Sequence, residues 1–475
     1  MNKILRILAS LGALLLLFLA LTLGFSNGDG WLFERPAFGQ FKTQKKPLRV
    51  VVVAQPLTYQ KLRGLQSGYE YDLLQQFAKD YDYDLTVHTV PHESDVLAEV
   101  AAGHADIGAA RLPSLWVNQT SLAGGPVYDE QKIALICRRN VSMDFSMMGR
   151  LRLNKPVRFV TTSKTVSREW VENFENETPL AKVQVLPQPS AMVLFHDLTS
   201  GKSDCLLMDR LQAQYNLRSY PELRWIKDLR AYQQYQFVVS PAQNGIRQDL
   251  RLWFPRAARS GTLHQIKDRY KNYLDELDRN EQTDFSKFFA IRFQPFEKFF
   301  KKYSFQNNIP WQLVAAVAYQ ESHLDPEAQS WTGVRGLMQL TEETAEHVGI
   351  DDRTDPEQSI IGGSKYLHLL LERQPKNLPD RERLALALAT YNVGPAHMWD
   401  AQNLAVRLGK NPNSWKDIRT VLPKLGDPYY AQMLKYGPAR GDEPVAFVDR
   451  VLSYLDLILI SSSKIERHRL LVTLR

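Results

Sequence analysis

Glu321 is the residue whose surroundings point most clearly to chemistry, because it follows the apolar run VAAVAYQ that starts at Val314. It lies three, four and seven residues after Ala318, Val317 and Val314, so helical spacing places it on the buried stripe of a helix. Burial disfavours the charged form of a carboxyl group, and the negative end of the helix dipole acts in the same direction. The sequence therefore predicts a raised pKa, which a general acid for glycosidic cleavage requires.

A second carboxylate is not compellingly placed, although most glycoside hydrolases use two. Asp325 precedes a proline and is expected to leave the helix. Glu342 and Glu343 are better suited to the first turn of the next helix. Helix geometry alone also leaves open an ordinary helix-end glutamate, either solvated or paired with Arg335.

Three motifs in order carry a family resemblance: E-S at 321–322, GVRGLMQL from Gly333, and ATYNVG from Ala389. Together they resemble the motifs of the lysozyme-like lytic transglycosylases, which cut bacterial cell-wall glycan. The resemblance implies an all-α lysozyme-like domain over 287–475 that acts on peptidoglycan glycan strands. It implies that Glu321 protonates the β-1,4 bond between N-acetylmuramic acid and N-acetylglucosamine and then helps to close a 1,6-anhydromuramic ring. No cofactor is implied.

The matched motifs also predict the residues that bind substrate. Ser322 and Gln339 are placed to hydrogen-bond sugar groups, and Met338 to line the floor beside the acid. Tyr391 and Asn392 are placed near the carboxyl group, where a phenol could orient it and an amide could bind sugar. Without the motifs, Met338 and Tyr391 are also explained as core residues.

This sequence differs from the family in the E-x-x-x-Y-V segment, where a tyrosine is usual. Here the segment reads GDEPVAFV, which places Phe447 at the position of the tyrosine. This removes a hydroxyl and puts a hydrogen bond to Glu321 in doubt, while ring packing is expected to remain.

Two other functions stay open. A hydrolytic muramidase would leave reducing muramic ends, and a non-catalytic sensor would only bind glycan or another ligand.

Strand-like and helix-like segments alternate in the N-terminal half, which predicts α/β layers with largely parallel sheets. The clearest strand is Leu48–Ala54 and the clearest helix is Tyr71–Asp80. Further strands are predicted at 85–90, 105–110, 133–138, 157–162, 183–186, 205–208 and 236–240.

Residues 47–273 resemble the extracytoplasmic solute-binding proteins, which grip amino acids between two lobes. The resemblance lies in LRVVVVAQPLTY, GYEYDLLQQFAKDYDYDL, GHADIGAARL and GGPVYDE. It implies a periplasmic-binding-protein-like domain with a small amino-acid or muropeptide-like ligand that Tyr59 packs against and whose ammonium group Asp209 holds. The arginine that usually grips the ligand carboxylate is replaced by Asn118, and Arg111 is the nearest substitute. A lobe pair that serves only as a scaffold is the alternative.

The N-terminus predicts export. Lys3 and Arg6 precede an uncharged apolar run at Ile7–Phe25, so residues 1–30 are a signal peptide or a retained membrane anchor. The expected location is the periplasmic side of the envelope, peripheral on the outer membrane or anchored in the inner membrane. Export disfavours nucleic acid as a partner of this basic chain, whose net charge is +7. The charge instead suits an anionic cell wall or lipid surface.

Two cysteines, Cys137 and Cys205, sit in apolar strand-like stretches, where they could pair or remain buried thiols. A chain of 475 residues is expected to form two domains. His323 lies near Glu321 and Asp325, but the spacing matches no metal-ligand motif, so no metal site is predicted.

Overall fold

The structure is a computed structural model that describes residues 45–55, 57–145, 151–187, 191–270, 277, 279–330 and 333–473. The predicted signal peptide or anchor at 1–30 lies outside these residues. Lys46–Arg475 form one compact unit. Within the described residues, we find no helix with the length and apolar character of a membrane span.

The N-terminal half contains twelve strands and eight helices within its described residues. The strands are β1 Lys46–Val53, β2 Gln60–Leu62, β3 Leu65–Ser67, β4 Tyr83–Val90, β5 Ile107–Ala109, β6 Ala123–Arg138, β7 Asp144–Phe145, β8 Leu151–Arg152, β9 Val157–Thr162, β10 Ala181–Leu186, β11 Cys205–Asp209 and β12 Leu223–Val239. The helices are α1 Tyr69–Asp80, α2 Glu93–Ala101, α3 Ser114–Val117, α4 Arg168–Glu177, α5 Ala191–Thr199, α6 Arg210–Leu217, α7 Asn244–Arg259 and α8 Thr262–Asp268.

Eight of these strands form one sheet in the order β10-β9-β11-β6-β12-β5-β1-β4. The strands are parallel within each outer group, β10-β9-β11 and β5-β1-β4, as predicted, but β6 and β12 run antiparallel to each other and to the strands beside them. The prediction of largely parallel sheets is therefore wrong for the centre. The sequence marked only one end of β6 and of β12, because the remainder of each strand is polar and partly exposed.

Separate hydrophobic cores lie at the two ends of this long central pair. One core is built around β1, α1 and α7, and another around β9 and β11. The ladder between β6 and β12 shifts register repeatedly, including between Asp228 and Tyr232. Such bulges bend a strand pair, so the pair can connect two lobes that each bury their own apolar residues.

Cys137 and Cys205 form a disulfide bond in the second lobe. They are directly opposite each other on the antiparallel strands β6 and β11, and both are fully buried. Of the two alternatives that the sequence left open, the structure shows the paired one. The pairing required knowledge of which strands are neighbours, which the separate apolar segments could not supply.

The C-terminal half is helical throughout its described residues. Its helices are α9 Arg279–Phe293, α10 Glu297–Gln306, α11 Trp311–Ser322, α12 Glu342–Val348, α13 Pro356–Glu372, α14 Asp380–Val393, α15 Pro395–Arg407, α16 Trp415–Val421, α17 Pro428–Ala431 and α18 Asp442–Thr473. Helices α11 and α14 pack against α18 around one large core. The predicted fold class, a two-lobed α/β part followed by an all-α part, is confirmed.

Ion pairs from the α/β half reach the first turn of α14. The guanidinium of Arg269 contacts Asp72 at 3.1 Å and Glu382 at 2.9 Å. The main-chain N–H of Gln66 donates to the carboxylate of Asp380 at 2.8 Å. The N-terminus of α14 is therefore held by the α/β half, and its other end carries Tyr391 and Asn392.

Candidate active site

Helix α11 ends at the carboxyl group that the sequence singled out. Pro310 precedes the first residue of the helix, and the run Leu313–Tyr319 is fully or almost fully buried. The chain then leaves the helix through two left-handed residues, His323 with φ 52° and Leu324 with φ 60°. A non-glycine residue in this region is strained by about 1 kcal/mol or more, and such strain concentrates at functional sites.

Glu321 lies one residue before the end of α11 and is half-buried. Burial raises the pKa of its carboxyl group to about 8. This agrees with the expectation from its position on the apolar stripe. An ion pair with Arg335 would lower the pKa, and none is found between these two residues within the part of the chain that the structure describes.

The GLMQ segment forms a tight turn beside the end of α11. Gly336 has φ +90°, and a Cβ atom there would lie 2.2 Å from the carbonyl oxygen of Arg353. Met338 is fully buried, and its main-chain N–H donates to Ser359 Oγ at 3.1 Å. The Nε2 of Gln339 donates to the carbonyls of Ala328 and Gly336, so this amide is engaged by the turn itself.

Ser322 joins the helix end to this turn. Its Oγ lies 3.0 Å from the carbonyl oxygen of Ala318 and 2.9 Å from that of Leu337. A hydroxyl has one hydrogen, so these two carbonyls compete for it. The structure therefore places Ser322 as a structural link, and its predicted hydrogen bond to sugar stays a prediction.

Tyr391 approaches from α14. Its hydroxyl donates to the carbonyl oxygen of Met338 at 2.8 Å. Burial and the nearby charge of Glu321 hold the pKa of this phenol well above its ordinary value. Phe447 packs nearly parallel to the Tyr391 ring at 6.2 Å, and Asn392 is exposed next to it. The structure thus brings the three motifs together around Glu321.

Ser359 and Gly363 of α13 also shape the site, and sequence reasoning missed both. Ser359 accepts the hydrogen bond from Met338, and a Cβ atom at Gly363 would lie 2.6 Å from the Met338 side chain. A pair of glycines inside an otherwise apolar helix was an available signal, because it lets another chain segment approach closely.

The cleft of the α/β half contains two cations and two anions that are paired with one another: Arg111 with Asp129 and Asp209, and Lys267 with Asp129 at 2.7 Å. Arg111 is buried, with its guanidinium 3.5 Å from Asp129, 3.3 Å from Asp209 and over the ring of Tyr235. Tyr59 is buried beside a cavity of about 300 Å³ that Arg111 also lines. The predicted set of Tyr59, Arg111 and Asp209 therefore converges on one region, but two aspartates already match the charge of Arg111.

Asn118, which stands where the family usually has the carboxylate-binding arginine, contacts a neighbouring side chain of the α/β half. Its side-chain oxygen accepts a hydrogen bond from Gln236 at 3.3 Å. Among the described residues, no three His, Cys, Asp or Glu side chains are grouped as a metal site requires.

Comparisons with known proteins give one consistent result for the sequence. The Transglycosylase SLT domain family matches residues 298–413. The membrane-bound lytic murein transglycosylase F of Maricaulis maris (strain MCS10) is 35% identical over 448 residues, which cover 94% of this chain and 97% of the relative. The protein of that name from Salmonella typhi is 34% identical over 408 residues, with coverages of 86% and 85%.

A solved structure resembles the N-terminal half. It is a probable amino-acid ABC transporter extracellular-binding protein from Bacillus subtilis, with 14% identity and a TM-score of 0.41, covering 49% of this chain and 100% of that one. The sequence relatives match along most of their own length at 34–35% identity. The chain therefore belongs to the family of the membrane-bound lytic murein transglycosylases F.

Proposed function

We propose that this chain is a peptidoglycan lytic transglycosylase that works with a single catalytic carboxyl group, that of Glu321. The observation that carries the proposal is that hydrogen bonds join the three motifs beside Glu321 at the end of the buried helix α11, where burial raises the pKa of its carboxyl group to about 8. At neutral pH the group is then mostly protonated and can donate to a glycosidic oxygen. Because this pKa is near the working pH, the resulting carboxylate can also accept a proton in the next step.

The first step breaks the bond between muramic C1 and the glycosidic oxygen. Glu321 gives its proton to that oxygen, which leaves as the hydroxyl of N-acetylglucosamine. The acetamido carbonyl of the muramic residue stabilises the positive charge that develops at C1. In the second step the Glu321 carboxylate removes the proton of the C6 hydroxyl, and the C6 oxygen bonds to C1. The 1,6-anhydro ring forms without water, and Glu321 is protonated again.

The residues around Glu321 support this chemistry by position. Tyr391 and Met338 form a buried wall, linked by the hydrogen bond between the phenol and the Met338 carbonyl. We assign to this wall the exclusion of water that keeps the acid protonated. Asn392 is exposed and free to contact sugar, whereas the contacts of Ser322 and Gln339 suit them to hold the turn.

A product analysis tests the reaction type. The full chain is incubated with purified peptidoglycan in water enriched in heavy oxygen, next to a digest by a hydrolytic muramidase. We expect 1,6-anhydromuramic ends without heavy oxygen. Reducing muramic ends that carry heavy oxygen would replace the proposal with a hydrolase, and the absence of any soluble product would favour a glycan sensor.

We further propose that 47–273 and 287–475 act as two domains, and that the first binds a small ligand in its cavity. The cavity is lined from both lobes by Tyr59 and Gln212, and by Leu459 of the last helix of the catalytic half. Because Asp129 and Asp209 already pair with the guanidinium of Arg111, that group is not free to grip the carboxylate of an amino acid. A muropeptide-like ligand, rich in amides and hydroxyls, suits this lining better.

Titration calorimetry tests the nature of this ligand. We expect single amino acids to bind the full chain with a dissociation constant no tighter than about 1 mM. This corresponds to a binding free energy of about −4 kcal/mol. A muropeptide is expected to bind, and Gln212→Ala to weaken that binding, whereas Tyr232→Ala on an exposed part of β12 leaves it unchanged. Micromolar binding of an amino acid would show that the Arg111 cluster opens.

We place the protein at the periplasmic face of the cell envelope, in association with a membrane. Support comes from the basic start and apolar run at Ile7–Phe25 and from the membrane-bound relatives. Peripheral association with the outer membrane is the proposed arrangement, with an uncleaved anchor in the inner membrane as the alternative. Fractionation of the two membranes with an antibody against the C-terminal half distinguishes them.

A further inference from the structure

Two exposed aromatic rings lie together in the helical half. Trp399 on α15 is 47% exposed and Tyr436, after α17, is 48% exposed. Their ring centroids are 5.9 Å apart at an interplanar angle of 83°. A single exposed apolar side chain is ordinary, but a fixed pair of rings offers a contact surface to another molecule.

A buried carboxylate fixes this pair. Asp400 is 2% exposed, and its two oxygens accept the main-chain N–H groups of Lys435 and Tyr436, each at 2.8 Å. Asp400 is also the residue after Trp399, so the same helix positions both rings. Leu434 packs against the core next to them. The surface is therefore held in place before any ligand arrives, which reduces the entropy lost on binding.

Lys435 adds a positive charge between the rings. Its Nζ lies 5.3 Å from the Trp399 centroid and 5.0 Å from the Tyr436 centroid, and its side chain is exposed. The buried charge of Asp400 is engaged by main-chain N–H groups, so the ammonium group remains able to pair with an anion from solution. The ammonium group lies over the two rings, which meet edge to face, and this combination suits a ligand that is partly apolar and carries a carboxylate.

The surface follows the proposed catalytic site directly along the chain. Helix α14 ends one residue before Gly394, and α15 begins at Pro395. A rise of about 1.5 Å per residue places Trp399 about 6 Å along α15 from its first residue. The exposed Asn392 lies just before this junction. Trp399 therefore lies seven residues along the chain from Asn392, a residue of the ATYNVG motif.

We propose that Trp399, Lys435 and Tyr436 form a platform that binds the glycan strand beyond the bond being cut. The C–H faces of a pyranose ring would pack on the aromatic rings, whose faces carry partial negative charge. The ammonium group of Lys435 would pair with a carboxylate of the lactyl or peptide substituent on the same strand. This inference rests on the proposed function, because it takes peptidoglycan as the substrate.

The test measures affinity separately from chemistry. The full chain carrying Glu321→Gln is mixed with insoluble peptidoglycan, and the bound fraction gives the dissociation constant. Trp399→Ala and Tyr436→Ala are each expected to weaken binding by about three- to tenfold. Trp399→Phe is expected to restore most of the affinity, which separates stacking from a loss of folding. Tyr232→Ala, which removes an exposed ring of the α/β half, is the matched control and leaves affinity unchanged.

Lys435→Gln tests the charge. It is expected to weaken binding to peptidoglycan several-fold but not to chitohexaose, which has the sugar rings and no carboxylate. Trp399→Ala is expected to weaken both. If correctly folded Trp399→Ala and Tyr436→Ala variants bind both glycans as the parent does, the platform is wrong even though the proposed function stands. Continued release of anhydro-muropeptides by Glu321→Gln would instead contradict the proposed function and leave the platform measurements valid.

Discussion

Glu321→Gln is expected to lower the rate of anhydro-muropeptide release by about 10³- to 10⁴-fold. Glutamine has nearly the same shape but can neither donate the first proton nor accept the second. The measurement is the initial rate of soluble muropeptide release from purified peptidoglycan. Because one group performs both steps, no other carboxylate is expected to restore activity at any pH.

The raised pKa also fixes how activity depends on pH. Glu321 must be protonated to begin the reaction, and burial places its pKa at about 8. We therefore expect kcat/KM to fall about tenfold per pH unit above pH 8. A fall centred near the ordinary pKa of glutamate would contradict the assigned environment.

The same pKa shift predicts that Glu321→Gln, which lowers activity, increases the stability of the folded protein at neutral and higher pH. The pKa is near 4.5 in the unfolded chain and about 8 in the folded one, so folding binds a proton between these values. Stability is therefore fully present below pH 4.5 and decreases as pH rises towards 8. Glutamine does not ionise, so the variant is expected to be more stable than the parent at pH 8, by about 4 kcal/mol, and equal to it near pH 4.5.

Glu342→Gln is the matched control for Glu321→Gln. It makes the same chemical change in a side chain that is 90% exposed and forms an ion pair with Arg353. We expect it to leave both the rate and the pH dependence of stability unchanged. A similar loss of activity in this variant would indicate a second catalytic carboxylate and a two-carboxylate mechanism.

The sequence predicted best what depends on local periodicity. Glu321 falls at the end of a buried helix because the apolar residues before it recur at helical spacing, and α1 was found in the same way. The long strands β6 and β12 were only partly predicted, because their polar stretches lie outside the lobe cores and lack an apolar pattern. Local pattern alone does not indicate how far a strand continues.

Contacts between distant segments could not be predicted. Nothing near Arg111 indicated that Asp129 and Asp209 would meet its guanidinium, and this arrangement changes the expected ligand. The motif that includes Ser322 predicted that this residue lies near the acid, but it did not predict where the hydroxyl points. In the structure the hydroxyl of Ser322 lies at hydrogen-bond distance from the carbonyl oxygen of Leu337. The motifs therefore predicted which residues belong to the site. The role of each side chain became clear only from its hydrogen-bond and ion-pair partners in the structure.

Gly336→Ala is expected to destabilise the protein by about 3–5 kcal/mol and to abolish most activity. The added Cβ would lie 2.2 Å from the carbonyl oxygen of Arg353, where only backbone can move, and φ is +90°. Displacing this turn shifts Met338, whose carbonyl accepts the hydrogen bond from Tyr391. Chemical denaturation of both proteins, followed by circular dichroism, measures the loss.

Gly333→Ala is the control that separates the effect of the close contact with Arg353 from the effect of the left-handed backbone conformation. Gly333 has nearly the same φ, +83°, but no atom of a described residue beyond its chain neighbours lies within 4 Å of the added Cβ. We expect this change to destabilise the protein by about 1 kcal/mol, the strain of the left-handed conformation alone. Equal losses in the two variants would mean that backbone strain, and not the approach of Arg353, makes glycine necessary at 336. A larger loss at 336 shows that the turn beside Glu321 is held by close packing against the Arg353 segment.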